Sequence, residues 1–259
     1  MLFRSTGQNE NALVQTVAAA NPNTVVVIDA GAPISMPWLG RVKSVLDAWY
    51  PGVENGNAIA DLIYGIADPS GHLPQTFPRS LADMPTKTPA QYPGIKDSET
   101  YAEGLFIGYR YFDAHHVAPL FPFGFGLSYT TFGFSHLKVR SHRHTADVTY
   151  TITNTGHREG AQVGQVYVGF PARLGEPPRQ LKGFDKTDLQ PGESQRVTIH
   201  LDARAFSRWS PARQDWVESR GCYGISVGDS SRSLPLSGIA AIGGARCGAH
   251  PHRSARHRR

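Results

Sequence analysis

Chemistry in this 259-residue chain would have to come from its carboxylates, histidines and cysteines, and most of them lack a partner at a useful spacing. There is no Gly-x-Ser-x-Gly nucleophile elbow, no His-Glu-x-x-His pair, no Gly-x-x-x-x-Gly-Lys phosphate loop and no closely spaced cysteine pair. Gly124-Phe125-Gly126-Leu127-Ser128-Tyr129 opens like a dinucleotide loop, but it lacks the third glycine and follows prolines rather than a strand. The best-placed carboxylate is Glu103, which lies in an aromatic-rich stretch beside Gly104 with Arg110 close in sequence. An acid, base or nucleophile could sit there. The competing reading, a structural Glu103 paired with an arginine or with backbone amides, is the favoured one. Asp61 reads as an ordinary helix residue, and Trp38, Trp49 and Tyr50 read as core rather than as exposed stacking platforms.

Cys222 and Cys247 leave two readings open, a structural disulfide or free thiols, and free thiols in a reducing compartment are the simpler one. His250, His252 and His257 have no second ligand cluster to support a metal site. The net charge of +5 is local: of 26 Lys+Arg, five lie in Arg246–Arg259, leaving 21 against 21 Asp+Glu in the rest. A neutral body with a basic end predicts a solvated, disordered tail over 243–259 and no nucleic-acid partner. No run of about 18 apolar residues is present, so no membrane span is expected. Gly7-Gln8-Asn9-Glu10 follows too soon after Met1 for a signal-peptide core, so the default expectation is a cytoplasmic chain.

The elements that would position these residues fall into two halves that meet near residues 130–142. Leu13, Val14, Val17 and Ala18 follow helical spacing, Asn21-Pro22-Asn23 stops the helix, and Thr24–Ile28 is a continuous β-branched run. A strand apolar on both faces predicts a parallel sheet covered on both sides. After Gly31-Ala32-Pro33, the spacing of Val42, Val45, Leu46 and Trp49 predicts a second helix with Pro37 near its first turn. Ala58, Ile59, Leu62 and Ile63 predict a third. From Gly71 to Tyr129 the sequence is loop-like but rich in aromatics, which predicts an ordered, packed segment. Beyond it, period-two alternation in Val148-Tyr150-Ile152, Val166-Val168, Val197-Ile199-Leu201 and Tyr223-Ile225-Val227, with turns at Asn154-Thr155-Gly156, Pro191-Gly192 and Gly228-Asp229, predicts an antiparallel β-sandwich.

Several stretches together resemble glycoside hydrolase family 3. They are Asn21–Ile28 with Gly31-Ala32-Pro33 and Met36-Pro37-Trp38, then Trp49-Tyr50-Pro51-Gly52, Asn57–Asp61, Pro69–Pro74 and Thr76-Phe77-Pro78, then Tyr101–Tyr111 and Pro119–Tyr129. The later half is similar to the fibronectin-III-like domain of many members, through Thr153–Gly156, Glu176–Phe184 and Leu189–Glu193. The resemblance implies an α/β domain with a flavodoxin-like parallel sheet over 1–131, partial in this chain, and a fibronectin type III-like sandwich over 132–242.

It also implies a retaining glycosidase that hydrolyses terminal, non-reducing β-D-glucosyl residues, with no cofactor and no metal. Retention needs two carboxyl groups about 5 Å apart. The family's nucleophilic aspartate lies in a preceding barrel and its acid/base glutamate upstream of the stretch matched by Asn11–Val14. Glu10 is too close to that stretch to match it. The expectation is therefore that the chain carries neither catalytic group, with Glu103 as the fallback, and is inactive alone. Its partners would be a β-linked glucoside or oligosaccharide in the parent enzyme, and a barrel-containing complementary chain or a second copy of itself. The alternative is a non-catalytic carbohydrate-binding or protein-interaction module.

Overall fold

Leu13, Val14, Val17 and Ala18 lie on helix α1 (Gln8–Ala20) in the computed structural model, which describes residues 8–248. The helix buries a narrow stripe: Ala18 is buried and Val14 packs on the core, while Leu13 and Val17 stay exposed. The asparagine turn ends it as expected, with Asn21 Oδ1 accepting from the Asn23 amide at 2.9 Å and the Thr24 hydroxyl donating to the Asn21 carbonyl at 2.6 Å. Strand β1 (Val25–Ile28) follows and pairs in parallel with β2 (Ser44–Asp47), with Val26 opposite Val45 and Ile28 opposite Asp47.

Two expectations fail here. The Val42–Trp49 segment is not a helix: it follows a short 3₁₀ turn, Leu39–Arg41, and carries β2. The same apolar residues fit either period over so short a run. The Lys43 amide donating to the Thr24 carbonyl (2.9 Å) and the Ala48 amide donating to the Ile28 carbonyl (2.8 Å) align the segment on β1 instead. The strand is also not covered on both faces, because Val25 and Val27 are exposed and only the Val26–Ile28 face meets the core. That core is built from Ile28, Ile34, Met36, Trp38 and Phe77, with Val45, Trp49, Leu120 and Phe121 packed against it. Trp38 is fully enclosed, and its indole N–H donates to Asn11 Oδ1 at 2.9 Å, as a buried indole requires.

Helix α2 (Asn55–Ile63) forms where Ala58, Ile59, Leu62 and Ile63 predict it. The long segment after it is ordered without regular structure apart from a 3₁₀ turn capped by Ser80 and the short helix α3 (Tyr109–Ala114). Its ends are tied together. The Phe77 amide donates to the Phe121 carbonyl, the Leu120 amide to the Phe77 carbonyl, and the Leu73 amide to the Phe125 carbonyl, all at 2.8–2.9 Å. Among the described residues these elements make one compact unit, comprising 8–69 and Leu73–Phe125; Ser70–His72 and 126–248 make a second.

The second unit is a two-sheet antiparallel sandwich. One sheet has the order β3-β4-β7, from β3 (Phe132–Ser141), β4 (Ala146–Asn154) and β7 (Ser194–Leu201). The other has the order β11-β10-β5-β6, from β5 (Gly160–Gly169), β6 (Gln180–Leu189), β10 (Gly221–Gly228) and β11 (Leu236–Ile242). A separate hairpin joins β8 (Ser207–Ser210) to β9 (Asp215–Glu218). Along β4 the burial alternates without a break, placing Val148, Tyr150 and Ile152 against Val166, Val168, Tyr223, Ile225 and Val227. The sheets approach closely enough that a Cβ on Gly164 would lie 2.3 Å from the Tyr150 hydroxyl.

Cys222 and Cys247 are joined by a disulfide, not free thiols. Cys222 stands opposite Ala241 in the β10–β11 ladder, and the chain turns back at Gly243 and Gly244, both with positive φ. That reversal brings Cys247 to its partner. The remaining tail, 249–259, with His250, His252 and His257, lies outside the described residues.

Candidate functional site

The parallel pair β1–β2 ends in two carboxylates, Asp29 just past β1 and Asp47 as the last residue of β2. The carboxyl end of a parallel sheet is where ligands bind in open α/β folds. Burial pushes the Asp47 carboxyl up to about 6, against the hydrogen bond from the Trp49 amide that favours its charged form, and the Asp29 charge adds to the rise. The Trp49 amide donates to Asp47 Oδ1 at 3.3 Å, and this tight turn holds Trp49 at φ 55, a left-handed conformation unusual for a tryptophan. Tyr50 then swings over the loop after β1, leaving no room for a side chain at Gly31, whose Cβ would meet the Tyr50 ring at 2.3–2.6 Å.

A carboxyl that titrates near neutrality can act as a proton donor or acceptor. It does not by itself make a glycosidase. Asp47 is registered with Ile28, so Asp29 stands one step further along, where successive side chains leave opposite faces. Asp47 is half-buried and Asp29 exposed, yet Asp29 is near enough for its charge to raise the Asp47 carboxyl. Among the described residues neither is held in an ion pair.

Glu103 lies at the start of the aromatic segment, and its backbone carbonyl accepts from the Phe106 amide at 2.9 Å. The pairing expected for its side chain is not found. Its Oε2 is buried without a hydrogen-bond partner, and Arg110 makes no ion pair with it. Around α3, Tyr111 packs against His115 (ring centroids 4.4 Å), Phe106 meets the same imidazole at 6.3 Å, and Tyr109 lies over Phe123 at 4.9 Å. The Lys87 ammonium sits 5.9 Å from the Tyr111 ring centre. A second chain of rings, Trp49–Phe77–Phe121, belongs to the core, with Phe125 stacked on Phe121 at 5.1 Å.

Trp38 and Trp49 thus take the core places expected of them, whereas Tyr50 is 81% exposed and is no core residue. Asp61 is a residue of α2 whose carbonyl caps the helix end by accepting from the Ile66 and Ala67 amides. Asp47 was not singled out from sequence, because reading its segment as a helix hides its place at a strand end. Among the described residues no group of three His, Cys, Asp or Glu side chains is arranged to hold a metal ion, and no helix is long and apolar enough to cross a membrane.

Residues 3–129 match the glycosyl hydrolase family 3 C-terminal domain, and residues 162–231 match a fibronectin type III-like domain. The chain is 43% identical over 238 residues to beta-glucosidase B of Emericella nidulans, covering 87% of this chain and 28% of that protein. It is equally similar, at 43% over 235 residues, to an exo-alpha-(1->6)-L-arabinopyranosidase of Bifidobacterium breve, covering 90% of this chain and 31% of the relative. The crystal structure of a GH3 beta-glucosidase from Bifidobacterium adolescentis superposes with a TM-score of 0.88 at 38% identity, over 98% of this chain and 38% of that one. The chain spans about a third of the length of these relatives.

Proposed function

The chain belongs to glycosyl hydrolase family 3, and from that premise we propose that it is the carboxy-terminal portion of a retaining glycosidase acting on terminal non-reducing β-D-glucosyl residues. In this reading the chain supplies scaffold and an aromatic surface, and it does not hydrolyse glycosides alone. The observation that carries it is the arrangement of the carboxylates. Asp47 is half-buried at the end of β2 while Asp29, just past β1, is exposed, and Glu103 has neither the ion pair nor the hydrogen bonds that would set a catalytic carboxyl. The division into an α/β portion (1–131) and a sandwich (132–242) goes with this reading.

Exposed Val25, Val27, Tyr50, Tyr101 and Ile107 in the α/β portion support association with a complementary barrel-bearing chain or with a second copy. The sugar itself is read from the β-glucosidase relatives. The arabinopyranosidase relatives match equally well, so this part of the protein holds little of the discrimination between pyranosides.

The test is release of nitrophenol from aryl β-glucosides by the purified chain, alongside Glu103→Gln and Asp47→Asn. No turnover above background is expected from any of the three. Robust turnover abolished by either substitution would move the catalytic site into this chain. The alternative, a carbohydrate-binding module, has one specific observation behind it: a pair of solvent-exposed tryptophans on the sandwich.

A further inference from the structure

Trp209 and Trp216 stand directly opposite each other across the β8–β9 hairpin. Their ring centroids are 5.7 Å apart with the planes at 62°, and they remain 45% and 39% exposed. A two-stranded hairpin is marginal in water, so an aromatic cross-strand pair has an obvious stabilising use. This hairpin, however, is fastened at its base by other means. Ala205 and Phe206, immediately before β8, are buried, and the Asp202 side chain caps their turn by accepting from the Ala205 amide at 3.0 Å. The Tyr223 hydroxyl lies 3.1 Å from the Phe206 carbonyl and 2.6 Å from the Ser219 carbonyl, so one core side chain pins both feet of the hairpin.

The surroundings of the indoles are polar. The Arg204 guanidinium lies on the Trp216 face, 3.4 Å from its centre, and fixes that ring while leaving its own N–H edge without a hydrogen bond among the described residues. Glu218 belongs to the next pair on the same face of the hairpin, and both its oxygens lie 3.1 Å from His144 Nδ1. A tryptophan can bury about 150–250 Å², so the exposed parts of the two rings amount to roughly 150–200 Å². A stable protein interface needs about 1,200–2,000 Å². The patch instead has the size of about one or two sugar rings. An apolar platform rimmed by a guanidinium and a carboxylate suits the C–H face and the hydroxyls of a pyranose.

We propose that the β8–β9 hairpin is a binding site for neutral sugar chains, with Trp209 as stacking platform, Trp216 held by Arg204 beside it, and Arg204 and Glu218 bonding sugar hydroxyls. This goes beyond the proposed function and is independent of it, because it concerns binding by the sandwich and not turnover.

Native gel electrophoresis of the whole chain through a gel containing soluble mixed-linkage β-glucan tests it, since a neutral polymer does not respond to the basic tail. Retardation relative to a non-binding reference protein is expected, with Trp209→Ala about tenfold weaker or more and Trp209→Phe in between. No retardation, or equal retardation of wild type and Trp209→Ala, would overturn the proposal. Should Trp209→Ala misfold, acrylamide quenching of the wild type decides. Trp38 is enclosed and Trp49 half-buried, so cellohexaose should shield the exposed fluorescence, and unchanged quenching at saturating cellohexaose would equally sink the idea.

Discussion

Asn154 should be worth more to the sandwich than any other polar side chain, and Asn154→Ala measures it. The residue closes β4 and is fully buried, yet every hydrogen-bonding position of its amide is used. Oδ1 accepts from the Thr130 hydroxyl at 2.7 Å and from the Gly156 amide at 3.0 Å, while Nδ2 donates to the Arg158 carbonyl at 2.7 Å and to the Leu189 carbonyl at 3.0 Å. The side chain thus ties the chain entering the sandwich just before β3, its own turn, and the end of β6. Alanine removes four bonds worth about 1 kcal/mol each and strands several buried groups, so a loss of about 3–5 kcal/mol is expected. Against a total stability of about 5–15 kcal/mol this is a large fraction. For a sandwich of roughly 110 residues it corresponds to a melting temperature lower by about 15 °C. Urea denaturation followed by far-ultraviolet circular dichroism gives the difference directly. Asn154→Asp is the control, since it keeps Oδ1 but sets a carboxylate oxygen against two carbonyls, and it should be at least as damaging near neutral pH. A loss below about 1 kcal/mol for Asn154→Ala would refute the view that this network holds the sheets in register.

Three further outcomes follow from single observations. The Tyr150 hydroxyl is buried without a hydrogen-bond partner and its ionisation is suppressed by burial, so Tyr150→Phe should leave stability unchanged or raise it by about 1 kcal/mol in the same denaturation assay. The carboxyl of Asp47 has a folded pKa raised from 3.8 to about 6, so its charged form opposes folding. Asp47→Asn should match wild type below about pH 4 and become the more stable of the two as pH rises through 6, and carboxyl carbon NMR of the wild type should show the midpoint near 6. The Cys222–Cys247 disulfide closes a 25-residue separation, for which chain entropy gives about 3–4 kcal/mol. Reduction should therefore lower the melting temperature of the sandwich by about 10–15 °C, with no shift in Cys222→Ser/Cys247→Ser.

The sandwich was legible because its signal is local and repeated. Val148, Tyr150 and Ile152 alternate with threonines, and the inner face they mark is the inner face of β4 residue for residue. The α/β portion was less so. Four apolar residues at 42, 45, 46 and 49 suit a helix as well as a strand, and only the long-range bonds to Thr24 and Ile28 decide between them. The disulfide was hidden for a similar reason: its closure depends on the β10–β11 register and on two glycines with positive φ, none of which appears in the cysteine spacing.

The candidate site shows where reading residue types stops being enough. Glu103 was visible because it is a carboxylate among aromatics, and what it lacks, a partner for Oε2, is a property of three-dimensional placement. Asp47 has no motif around it. Its perturbed carboxyl arises from lying at the end of a half-buried parallel strand, with Asp29 one step away on the neighbouring strand and the Trp49 amide folded back onto it. Burial is what shifts Asp47, while Asp29 just past β1 is exposed, and among the described residues neither carboxylate is held in an ion pair.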